Sequence, residues 1–432
     1  MNILPHPEEY SPKQGIAVLL FSVAILVLGN NLQGTLLGVR AGIEGMREQS
    51  IGLMMSAYYG GFVTGSILFP RLVYSVGHIR TFAALASIAS ALTLLYILVI
   101  TIPAWIILRF FHGLCYSGMI LVIESWLNGC SDRKNRGSIL ASYGIVFWGC
   151  SAISQILLTT AAPDGIVLFC LISILVSFAM VPLTLAPSRT PVIIKTKRIK
   201  ISRLFTISPL GVVGVLASGL CIGSAWGMGP VFAQSINFNT TGISLFMASM
   251  MSGTLISQWP LGRLSDKVDR RGVIVAASIV AGTVSLVLAF QEKYPLLPLT
   301  ILAFLHGACA FPLYSLCVAH VNDRIHEEEV IGTAGTLIFL QGIGSASGPF
   351  ASGVCMGYLG PQGLFFFVGT VLILLSLYGI FIITQRKAVS GRIKQTFIAL
   401  PRISHVFLEK YVHRKNQGNC KKKKKSNLSE SS

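Results

Sequence analysis

Three side chains able to grip a polar solute recur at helical spacing within one apolar stretch of this chain: Arg109, His112 and Tyr116. A 3.6-residue period places them on one face. An arginine inside an apolar run costs on the order of 2.5–3.5 kcal/mol even on the lenient insertion scale, so it should face a cavity or a partner. There it would suit an anionic or hydrogen-bonding group. Snorkelling to a nearby headgroup layer is the other reading. Glu124 lies fifteen residues further along, about 22 Å by helical rise, and is the acidic residue set well inside an apolar run. A carboxyl withdrawn from water can hold a proton taken from one side and release it to the other, which is the chemistry of proton coupling. An ion pair with Arg133 or Arg136 in the next segment is the alternative. His306 and His320 raise the same question more weakly, since a histidine among packed helices is more often a hydrogen-bond partner.

Arg109 and Glu124 are too far apart for one catalytic centre. The chain contains no HExxH, no phosphate-cradling glycine loop and no paired carboxylates, so no enzyme activity, ATP drive, cofactor or metal is expected. Its nine cysteines follow no zinc or redox spacing, and most lie in apolar runs, where a thiol behaves as a small hydrophobe.

The elements that must position these residues are membrane spans. Hydrophobic residues make up 53% of the chain and charged residues 12%, with mean hydropathy +0.71. A soluble domain of this length needs about twice that charged fraction. Twelve apolar runs, each near the roughly 20 residues that cross a bilayer, fall at about 15–38, 50–69, 80–100, 103–128, 138–160, 165–186, 208–235, 241–261, 272–290, 295–320, 331–356 and 361–384. The first is too long for a signal h-region and should remain as a span. With the N-terminus inside, 30 of the 34 Lys and Arg fall in cytoplasmic segments, which sets the orientation. The net charge of +18 is therefore a topology signal and points to no nucleic acid.

The chain also repeats itself. Pro70-Arg71-Leu72-Val73-Tyr74-Ser75-Val76 matches Gly262-Arg263-Leu264-Ser265-Asp266-Lys267-Val268, 192 residues later. Ile51-Gly52-Leu53 matches Ile243-Ser244-Leu245, and Phe110-Phe111-His112-Gly113-Leu114-Cys115 matches Phe304-Leu305-His306-Gly307-Ala308-Cys309. A duplicated, membrane-embedded half is the pattern of a secondary transporter. The expected domains are a six-helix bundle over 1–186, a basic linker over 187–207, a second bundle over 208–385 and a basic tail over 386–432. The tail carries Lys421 to Lys425. Attraction to anionic lipid, at roughly 1 kcal/mol per surface lysine, and a merely solvated tail are both open readings.

Gly262 to Arg271 resembles the signature loop of the major facilitator superfamily, with Asp269 where a second Gly is usual. In the first half Pro70 stands for the Gly and Tyr74 for the Asp. The resemblance implies a cytoplasmic gate formed by Arg71, Arg263, Asp266, Lys267, Arg270 and Arg271, with Asp266 in a charge-assisted contact at a helix end; simple basic anchoring is the other reading. Arg109-x-x-x-Gly113 resembles the span-four motif of the same superfamily, although Cys115 stands where a second Gly is usual. Spans one, four, seven and ten line the cavity in that superfamily. This implies substrate contacts from Asn30, Asn31, Gln33, Arg109, His112, Tyr116, Trp226, Gln234 and His306, with Gln155, Gln258, Trp259 and Gln341 as weaker candidates. Val122-Ile123-Glu124-Ser125-Trp126-Leu127, Asn135-Arg136-Gly137 and the stretch Gln258 to Lys267 resemble the YcaD-like branch, over about residues 12–385.

The expectation is an all-α integral membrane protein of twelve transmembrane helices in two pseudo-symmetric six-helix bundles. It would be a monomeric secondary transporter in a bacterial inner membrane, with both termini cytoplasmic, moving a small organic solute by alternating access with proton coupling at Glu124. The rival from another class is a transporter-shaped receptor or scaffold. The Asp266 motif argues against it, because a receptor that does not move needs no gate.

Overall fold

The computed structural model describes residues 12–130, 135–185, 199–291, 293, 295–326 and 329–385. All regular structure in them is helical, as it must be where a backbone crosses hydrocarbon and can pair only with itself. The first set of helices is α1 (Pro12–Ile43), α2 (Glu48–Val76), α3 (His78–Leu98), α4 (Ile102–Cys130), α5 (Arg136–Leu157), α6 (Val167–Phe178) and α7 (Met180–Leu185). The second is α8 (Ile201–Ile207), α9 (Pro209–Ser235), α10 (Thr240–Lys267), α11 (Arg270–Ala289), α12 (Leu296–Ala310), α13 (Leu313–Asn322), α14 (Val330–Leu359) and α15 (Gly363–Gln385). Ten helical stretches are long and apolar enough to cross a membrane. The other two runs expected from the sequence, 241–261 and 331–356, coincide with the long helices α10 and α14.

Local chemistry explains where the helices stop. Gly77, at φ +95°, separates α2 from α3, a conformation glycine reaches without a Cβ clash. The Asn239 side chain caps α10 by accepting from Gly242 N at 2.9 Å, and Asp269 caps α11 by accepting from Arg271 N at 3.1 Å. The single run expected over 295–320 is two helices, because Pro312 lacks the N–H needed to carry α12 into α13. The segment Gly262 to Lys267 is the last part of α10, not a loop. Arg133, the linker residues 187–198 and the five-lysine tail lie outside the described residues.

Packing follows the repeat. α2 packs on α4 as α10 packs on α12, α1 on α5 as α9 on α14, and α3 on α6 as α11 on α15. Between the two sets, α2 meets α14 and α5 meets α10. The repeat reaches single atoms. A Cβ on Gly61 would strike the Phe110 carbonyl and one on Gly113 the Tyr58 carbonyl; Gly253 and Gly307 stand in the same relation to Phe304 and Met250. Absent side chains there let backbones touch, which is how helices gain contact in lipid.

One end of the bundle is sealed between the sets. There Gly38 of α1 lies against Pro230 of α9, Gly42 against Gln234, and Gly52 and Gly353 bring α2 onto α14. Ser56 Oγ accepts from Phe350 N at 3.0 Å across the same seam.

Candidate substrate-binding site

A cavity with about 880 Å³ of atom-free space, the open solvent at its mouth included, lies between the two sets of helices. Its first wall carries Asn30 and Asn31 of α1, Tyr58 and Tyr59 of α2, and Arg109 and Tyr116 of α4. Facing them are Trp226 of α9, Met247 and Met251 of α10, and Gln341 and Ser345 of α14, with Phe147 of α5 completing the ring. Arg109 is 4% exposed. Its Nη2 lies 3.3 Å from Met55 Sδ, and its guanidinium carbon sits 4.8 Å from the centre of the Tyr58 ring, a cation–π contact. Tyr58 in turn donates to Asn30 Oδ1 at 3.0 Å. Asn31 donates to Ser151 Oγ at 2.6 Å and Thr35 to Gln155 Oε1 at 2.6 Å, so α1 is held to α5 just behind the cavity. The Phe147 and Trp226 rings run nearly parallel, 16° apart at 6.5 Å, and Trp148 meets Trp226 edge-on at 5.9 Å.

Asn30, Asn31, Arg109, Tyr116 and Trp226 therefore converge on one cavity. Gln33, His112, Gln234 and His306 do not line it. Gln33 follows Asn31 by two residues, or about 200° of helix rotation, and its amide reaches Thr93 of α3 at 3.4 Å. His112 is fully buried and stacks beside Tyr58 at 6.4 Å. His306 occupies the equivalent place in the second set, 2.9 Å from Ser285 of α11 and packed on Phe311 and Phe365. Gln234 lies at the sealed end against Gly42. The sequence reading missed Tyr58, Tyr59 and Phe147 entirely and ranked Gln341 low. Paired phenols in an apolar run were the available signal.

Glu124 is fully buried and accepts from Tyr143 Oη at 2.8 Å. Arg133 and the Arg136 side chain, its proposed ion-pair partners, lie outside the described residues.

The signature segment centres on Arg270. Buried at 1% exposure, it donates from Nε to Asp323 Oδ2 at 2.8 Å, pairs with Asp266 Oδ1 at 2.8 Å and reaches Ser265 Oγ at 3.0 Å. Asp323 follows α13 and was not foreseen; it is 53 residues from Arg270. Arg271 chelates Asp269 at 2.7 and 3.0 Å. Burial pushes the Asp269 carboxyl up, but its hydrogen bonds to Arg271 and that residue's charge outweigh burial and hold it below its ordinary value. Arg263 turns away, 3.5 Å over the Trp259 ring, and Lys267 is exposed. In the first set Arg71 and Tyr74 are exposed, and buried His78 packs on Trp126 at 6.1 Å where the second set has ions.

This arrangement of two repeated sets about a central cavity agrees with the family comparison. The model of the Major Facilitator Superfamily matches residues 19–251 and again 211–413. The chain belongs to the major facilitator superfamily. Relatives of this superfamily member include the MFS-type transporter YcaD of Escherichia fergusonii, 24% identical over 360 residues spanning 82% of this chain and 92% of that protein. The MFS-type transporter YE1530 of Yersinia enterocolitica is 25% identical over 362 residues, covering 82% and 91%. Among solved structures, the nucleoside transporter NupG superposes with a TM-score of 0.71 at 15% identity, over 86% of this chain and all of that one. A bacterial homologue of the human lysosomal transporter Spinster, captured inward-facing and occupied, superposes at 0.67 with 10% identity, over 88% and 97%. These structural likenesses establish the superfamily fold. The superfamily member described here is a multi-pass membrane transporter and not an enzyme.

Proposed function

We propose that this protein carries a small organic solute across a bacterial inner membrane by alternating access, coupled to protons through Glu124. The observation that carries the reading is the cavity shared by both sets of helices and sealed at one end. A midplane site between two repeats, reached from one side at a time, is what a rocking carrier requires. With basic segments held in the cytoplasm, both termini lie inside and the sealed end faces outward. The Asp266–Arg270–Asp323 cluster then stands at the inner end as part of the cytoplasmic gate, and the basic tail meets anionic lipid. Glu124, held by Tyr143 and outside the cavity lining, can change its charge without touching the solute.

Reconstitution tests this. Proteoliposomes loaded with a solute that shifts the protein's melting temperature should show counterflow, and accumulation when a proton gradient is imposed. Glu124→Gln should lose gradient-driven accumulation and keep exchange. Unchanged accumulation in that variant would leave Glu124 with a structural role only.

A further inference from the structure

We infer that the solute is an organic anion, its acid group held by Arg109 and the Gln341 amide from opposite walls and its body laid on Phe147 and Trp226. This rests on the carrier reading above.

The cavity is unbalanced in charge. Among the described residues that line it, Arg109 alone carries a charge, and no carboxylate does. Its neighbours are a thioether sulfur and a phenol ring, neither of them anionic, and its buried Nε has no hydrogen-bond partner. A guanidinium withdrawn from water without a counter-charge is costly. The cost is removed when an acid group enters, because the planar fork matches two oxygens at once.

A second buried donor stands ready on the other set of helices. Gln341 is 3% exposed, lines the same cavity, and its Nε2 has no partner. Two side-chain acceptors at or beside the cavity are already engaged: Asn30 Oδ1 by Tyr58, and Gln155 Oε1 by Thr35. Arg109 Nε and Gln341 Nε2 are donors without a partner, one from each half. A cationic solute would find no carboxylate, and a neutral one would leave the guanidinium uncompensated. The Phe147 and Trp226 rings and the adaptable Met247 and Met251 provide an apolar bed.

The test is a thermal-shift and calorimetric series on the full-length protein in detergent. The probes are 3-phenylpropanoate, 2-phenylethanesulfonate, the neutral 3-phenylpropanamide and the cationic 3-phenylpropylamine. Both acids should bind, and the amide and amine should not. Arg109→Gln should weaken acid binding about 100-fold or more, and Gln341→Ala about tenfold. Because Arg109→Gln alters a buried charge, folding is checked by its melting transition, and Gln341→Ala gives an independent reading. Equal or tighter binding of the amide or amine overturns the proposal. So does undiminished acid binding in Arg109→Gln, or silence of both acids with folded protein. Counterflow separates the two inferences. Acids that bind but never exchange leave the anion site standing and remove the carrier reading. Neutral solutes that exchange do the reverse.

Discussion

Arg109 and Glu124 are two buried charges on one helix with opposite surroundings. Arg109 opens on the cavity beside sulfur and an aromatic face, whereas Glu124 is turned away from it and bonded to Tyr143. The first faces a space that a ligand can enter; the second takes a hydrogen bond at Oε1 from another helix of its own bundle. Tyr143→Phe is expected to cost about 1–3 kcal/mol, since a buried carboxylate loses a donor. The Glu124→Gln/Tyr143→Phe double variant should cost less than the sum of its singles. Unfolding midpoints of the four proteins in detergent measure this, and strict additivity would show that the hydroxyl and the carboxyl act independently.

At the level of elements, the turn joining α10 to α11 carries its charge on Arg270. The basic residues of this segment are not equivalent: Arg270 is buried between two carboxylates, Arg271 closes on its own helix cap, and Arg263 lies out over Trp259. Removing one partner of a buried pair typically costs about 3–5 kcal/mol, while an exposed cation–π contact is worth about 0.5–1 kcal/mol. Asp323→Ala should therefore lower the melting temperature well below that of Arg263→Ala and slow counterflow, with equilibrium ligand binding largely retained. A larger effect from Arg263→Ala would move the centre of the cluster away from Arg270. Among the described residues the matching turn in the first set shows no such cluster: His78 and Trp126 pack where Arg270 stands in the second. The repeat is retained in the glycine contacts of α2 with α4 and α10 with α12, whereas Tyr74 and His78 stand where Asp266 and Arg270 form the ion pair.

For the molecule as a whole, alternating access requires that the sealed end open once per cycle. Gly38 and Pro230 meet there, and a Cβ built on Gly38 lies 3.3 Å from Pro230 Cβ, close to the spacing a disulfide spans. With the nine native cysteines replaced, a Gly38→Cys/Pro230→Cys pair should oxidise readily, abolish counterflow and recover it on reduction. Transport by fully cross-linked protein would show that this end need not part.

The membrane class, the long helices, the repeat at 192–194 residues and the superfamily were all legible in the chain, because a bilayer imposes span length and apolarity on local sequence. So was the presence of a polar, partly basic face on α4, from the spacing of Arg109 and Tyr116. What only the tertiary structure decided was rotation and partnership. Helices apolar on nearly every side carry little record of which face turns inward. The close approaches allowed at Gly61, Gly113, Gly253 and Gly307 set those faces instead. That is why Asn30 and Asn31 reach the cavity while Gln33 faces α3, and why His112 and His306 are enclosed within their own sets. Likewise, Gln341 meets Arg109's cavity and Asp323 meets Arg270 only through packing between helices far apart in the chain, which no local spacing encodes.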